Sequence, residues 1–137
     1  MCHGCEPIED DEILYRCIPV HLDYHDPSAQ APLSPKAFRP KSYDPTGLSL
    51  RRAKYATAQE AAGALPGLSY FVAVLRAGDL RKEGIEVVPD PTEAGPPGHA
   101  EIPELRWDNR TDPTQEAWQG LLALRLCREG LGPFPGR

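Results

Sequence analysis

An α+β domain is what this sequence predicts: a small mixed or antiparallel sheet of about five short strands, two main helices and long Pro-rich loops. Three observations lead there. The elements read as strand, strand, helix, strand, strand, strand, helix, the order of an α+β chain. Both helices open on cap chemistry that can be read residue by residue. Sixteen prolines and twelve glycines among 137 residues punctuate the chain too often for long elements, while 40% hydrophobic and 26% charged residues suffice for one packed core.

Residues 13–18 are rich in strand formers and stop at Pro19. Pro27, Pro32, Pro35, Pro40 and Pro45 then exclude any long element over 26–46, because each removes a backbone donor and drives the preceding residue from the α region. Within that stretch, Ser34 as cap and Pro35 at the first helical position allow one short turn through Phe38, ended by Pro40. Asp44-Pro45-Thr46-Gly47 reads as a β-turn leading into a strand over 48–52. Thr57 and Glu60 form a capping box that opens a helix over 58–65, closed by Pro66-Gly67. The run 69–75 is apolar on both faces, which places it inside the sheet. Residues 79–83 allow a helical turn stopped by Gly84, and 85–88 alternate as a strand up to Pro89. With four prolines and two glycines, 89–98 is loop. His99 to Ile102 reads as a short edge strand before Pro103. Asp112 as cap, Pro113 and Gln115 start the longest helix, 113–129, whose apolar stripe takes in Ala117, Trp118, Leu121, Leu122, Leu124 and Leu126 to Cys127. The organisation is thus a flexible acidic N-terminus with a cysteine pair (1–11), a single domain (12–129) and a C-terminal tail (130–137).

A net charge of -5 argues against a general binder of nucleic acid or anionic membrane. The charge is uneven: residues 1–30 hold seven acids and one base, 31–60 six bases and two acids. Either the two segments neutralise one another in the fold, or the basic one meets an anionic ligand or partner. No apolar run has the length of a membrane span, and residues 1–12 are acidic where a signal peptide is basic and then apolar. The expected location is cytoplasmic, without membrane association.

Four groups of residues carry possible chemistry. Cys2 and Cys5, with Cys17 and His21, supply zinc-ligand types, with knuckle spacing in the first pair. An extended 17–21 segment would hold its two ligands about 13 Å apart, so a simple thiol pair or a disulfide competes with metal. Arg16 is a lone cation in an apolar strand, where burial requires a carboxylate or an anionic ligand. Lys36, Arg39, Lys41, Arg51, Arg52 and Lys54, interleaved with Phe38, Tyr43 and Tyr55, form the composition of a nucleic-acid surface, cations for phosphates and rings for bases. Trp107 is an aromatic suited to a binding surface. Phosphate-loop, zincin and nucleophile-elbow motifs are absent.

Tyr15-Arg16, Gly47-Leu48-Ser49 and His99-Ala100-Glu101 resemble the order in which ADP-ribosyltransferase-like folds place an Arg, a Ser and a Glu on successive strands. That resemblance implies a site for NAD: Arg16 on a phosphate, Ser49 on the nicotinamide-side ribose and Glu101 on the developing positive charge, with His99 beside them. Leu-Ser-Leu stands where that family has Ser-Thr-Ser. From about residue 12 to 128 the chain is also similar to a set of small bacterial proteins without an assigned activity, which implies bacterial origin and carries over no functional residue. Taken together, the leading expectation is a protein that binds a macromolecular partner, most simply another protein, as an accessory or regulatory component of a complex and without a cofactor. Lys36, Arg39, Arg51, Arg52 and Trp107 are its binding candidates. An NAD-directed enzyme and a nucleic-acid binder are the alternatives.

Overall fold

A computed structural model describes residues 5–19, 35–41, 47–61, 69–90 and 98–135 of the chain. The domain is α+β. Its strands are β1 (Ile13–Pro19), β2 (Leu48–Arg52), β3 (Ser69–Arg76), β4 (Val88–Pro89), β5 (His99–Ile102) and β6 (Glu129–Pro135). They form one sheet in the order β4-β5-β2-β1-β3-β6, and every neighbouring pair is antiparallel. The helices are α1 (Ala58–Ala61), α2 (Ala77–Lys82) and α3 (Pro113–Leu121). The expected turn after Ser34 is the 3₁₀ turn Pro35–Phe38.

The sheet has one strand more than the sequence led us to expect. The addition is β6, where the sequence suggested a tail from residue 130. Gly130, Gly132, Pro133 and Pro135 hide the strand pattern, yet prolines are tolerated in an edge strand, whose outer amides have no ladder to complete. Two further expectations shift. Residues 85–87 do not pair in the sheet, because the backbone finds other partners: the Ile85 amide donates to the Leu80 carbonyl at 3.0 Å, and Arg81 Nη2 to the Val87 carbonyl at 3.3 Å. β5, expected at the edge, is covered by the two-residue β4. The long helix also ends early. From Leu122 to Leu126 it loosens into a π turn, the Cys127 amide reaching the Leu122 carbonyl five residues back at 2.8 Å. Asp112 makes no side-chain cap, and Gln115 donates to the Glu104 carbonyl instead of reaching back. The Thr57–Glu60 capping box forms as expected, with bonds of 3.0 and 3.2 Å, while residues 62–68 and the turn at 44–46 lie outside the described residues.

Strand alternation gives the sheet two unlike faces. One carries Leu14, Ile18, Leu48, Leu50, Leu75, Ala100 and Ile102, all buried, and is covered by Ala37 and Phe38 of the 3₁₀ turn and by Leu122, Ala123 and Leu126 of the π turn. The other holds a smaller apolar layer at one end, Tyr70, Val72 and Val74, with α1 packed there against β1, β3 and β6. Towards β5 this second face becomes polar, with Ser49, Arg51, His99 and Glu101 half-buried on it.

The uneven charge resolves into a cluster. Arg52 is fully buried at the end of β2, its Nε 2.5 Å and its Nη2 2.9 Å from the two oxygens of Glu12. Its Nη1 donates to the Glu6 carbonyl at 2.9 Å, and Lys54 Nζ lies 3.0 Å from the Glu6 carboxylate, which also accepts the Tyr55 hydroxyl. Glu6 and Glu12 of the acidic segment are thus neutralised by Arg52 and Lys54 of the basic one, and residues 6–12 are pinned to β2. The Tyr55 hydroxyl, Lys54 and the local backbone hold the Glu6 carboxyl down to about 2, against an ordinary 4.5. Burial would raise Glu12, but the hydrogen bonds and charge of Arg52, the Glu9 amide and Lys54 outweigh it and lower Glu12 as well. A carboxylate with a lowered native value stabilises the fold above its unfolded value and loses that contribution as pH falls towards its native one. Stability should thus decline from pH 4.5 towards pH 2. Urea midpoints across that window check this, with Glu6→Gln expected to flatten the slope.

Candidate functional site

The four residues of the dinucleotide reading do not share a face. Arg16 shares the face of Leu14 and Ile18 and points into the covered layer, 3% exposed, its Nε donating to the Ala37 carbonyl at 3.3 Å and its Nη1 to the Ser49 carbonyl at 3.1 Å. Ser49, His99 and Glu101 stand on the opposite face, Ser49 directly across from Glu101. The sheet itself separates the cation from the other three.

On that second face the register builds a cross-strand row. Val74 of β3 lies opposite Tyr15 of β1, Tyr15 opposite Arg51 of β2, and Arg51 opposite His99 of β5. Opposed residues place their Cβ atoms about 5 Å apart, so phenol, guanidinium and imidazole form a contiguous strip. His99 is oriented from outside the row: its Nδ1 lies 3.0 Å from the Asp90 carbonyl and 3.1 Å from Asp90 Oδ2. A carbonyl only accepts, so Nδ1 carries the hydrogen and Nε2 holds the lone pair of the neutral ring. The sequence pointed to His99 and Arg51 but not to their adjacency, nor to Tyr15, because cross-strand register is not written in either strand alone.

The expected basic surface is divided. Arg52 is buried in its ion pairs, a correction to its reading as a binding residue, and Arg51 faces the polar side of the sheet. Lys36 and Arg39 stand on the helical layer, where Arg39 Nη2 pairs with Glu116 at 3.3 Å and its Nε meets Gln119 at 3.5 Å. Gln119 in turn donates to the Arg110 carbonyl at 2.9 Å, and the Arg110 guanidinium caps the Trp107 ring 3.5 Å from its centroid. Trp107 is 38% exposed.

An element the sequence reading treated only as core has a second side. Gln119, Leu122, Ala123 and Leu126 face inward, whereas Pro113, Ala117, Gly120 and Leu124 recur at helical spacing on the outside. Leu124 is 62% exposed, and a Cβ at Gly120 would meet nothing within 4 Å. The apolar residues of this helix were too many for a single stripe, which was the available signal.

Of the zinc candidates, Cys2 and His21 lie outside the described residues. Cys5 is disulfide-bonded and so has no thiolate to offer a metal, while Cys17 stands half-buried on β1. Among the described residues no group of three or more His, Cys, Asp or Glu is poised to hold a metal ion. None of the described helices is long and apolar enough to cross a membrane. Compared with known proteins, the chain matches no family model, no curated protein and no solved structure.

Proposed function

We propose that this protein acts by binding another protein, as an accessory or regulatory component of a complex, and that the partner packs on the outer side of α3 and of the π turn that continues it. The observation that carries this is the apolar outer row Pro113, Ala117, Gly120 and Leu124 on a helix whose inner side is already committed to the core. A helix that is apolar on both sides is ordinarily covered on both. Small residues in the middle of the row leave room for close approach, and a row of apolar side chains on a partner helix is the chemistry that fits. Trp107, held rigid under Arg110 ahead of the same helix, adds an aromatic that loses little freedom on binding. The divided basic residues favour this reading over nucleic acid, which needs its cations on one surface.

A photo-crosslinking side chain placed at Leu124 tests it in the producing cells. A discrete adduct is expected from position 124 and none from Glu83, an exposed residue distant in sequence; no adduct from 124 overturns the proposal. Sedimentation of the purified protein then tells a second copy from a different chain. Leu124→Glu should abolish the adduct partner's retention on a column while shifting the melting temperature little, because the side chain is already in water.

A further inference from the structure

We propose a second, independent site: the row Tyr15, Arg51 and His99 binds a small oxyanion of the phosphate class. Arg51 is half-buried, its Nε is shut off from solvent without a hydrogen-bond partner, and among the described residues no carboxylate pairs with it. Burying part of a guanidinium without a counter-charge is costly unless something supplies one. By register Tyr15 and His99 stand on either side of it, and neither the Tyr15 hydroxyl nor His99 Nε2 is engaged by the described residues.

Among the described residues, the nearby carboxylates are turned elsewhere. Asp90 holds the far nitrogen of His99. Glu101 leans along the strand towards Gly47, where a Cβ would come within 3.0 Å of its Oε2, and so away from Arg51. This leaves a flat guanidinium fork suited to two oxygens of a tetrahedral oxyanion, with a phenolic donor on one flank. The imidazole on the other flank offers the lone pair of Nε2 to the O–H of a phosphate monoanion. Inorganic phosphate and a phosphate monoester each carry both features; a carboxylate bound as its anion has no O–H to give to Nε2.

Calorimetry on the whole protein, with inorganic phosphate, glycerol phosphate and acetate at matched ionic strength, tests the assignment. Saturable binding of either phosphate is expected, weakened about tenfold or more by Arg51→Gln, since a hydrogen-bonded charge is removed. The His99 imidazole resonance should move on titration, and Lys82→Gln, at an exposed cation outside the row, should leave binding unchanged. Should Arg51→Gln not fold, Tyr15→Phe and His99→Gln carry the same comparison. No saturable binding, acetate binding as tight as phosphate, or affinity indifferent to all three row variants overturns the proposal.

Discussion

Glu12→Ala should cost the fold about 3–5 kcal/mol, because it strands the charge of Arg52 in a place without water. The guanidinium is 0% exposed and the Glu12 side chain 7%, so solvent cannot replace the lost partner. Denaturant unfolding of the variant measures the loss directly. Glu6→Ala should cost less, its side chain being 40% exposed and its attraction to Lys54 and Arg52 screened. A double variant, Glu12→Leu with Arg52→Met, removes both charges together and should recover most of the stability lost by Glu12→Ala. If Glu12→Ala proves as mild as Glu6→Ala, the pair is not what pins residues 6–12 to β2.

Gly98→Ala is the second large effect. Gly98 has φ +95°, a conformation that L side chains rarely adopt, and its carbonyl accepts the Arg52 amide at 2.7 Å just before β5. A methyl group there would stand 2.5 Å from the Tyr55 Cβ, so strain and overlap act together. We expect a loss of about 3 kcal/mol. Gly84→Ala supplies the comparison: it too has positive φ, at +80°, but a Cβ would find nothing within 4 Å. It should cost about 1 kcal/mol, the conformational part alone. Equal losses at the two positions would mean that contact with Tyr55 contributes nothing.

How much of this could be read from the sequence depended on whether the deciding interaction was local. β1, β2 and β3 and the capping box at Thr57 announced themselves through neighbouring residues, and they stand where expected. β6 did not, because its glycines and prolines suit an edge position only when β3 is already there to pair with. The 85–88 strand was over-read for the converse reason: Ile85 and Val87 are buried, as the alternation implied, but the end of α2 claims the backbone bond of Ile85. The site residues divide in the same way. Trp107 could be singled out from its type alone, whereas the opposed faces of Arg16 and Ser49, the burial of Arg52 and the Tyr15–Arg51–His99 row all follow from pairing between distant strands.

The position of β1 bears on how the chain comes to be folded. Of the six described strands it comes first in the sequence, yet it sits inside the sheet, between β2 and β3, so its second edge stays open until residues 69–76 exist. Closure of β3 waits longer still, for residues 129–135. Pairing across such separations is slow, because loops must close before contacts repay them, and a nascent apolar strand with open edges invites association with other chains. Glu12 and Arg16 flank and interrupt the apolar run Ile13, Leu14, Tyr15 and Ile18, and charges so placed disfavour the pairing of an unfinished strand with other chains.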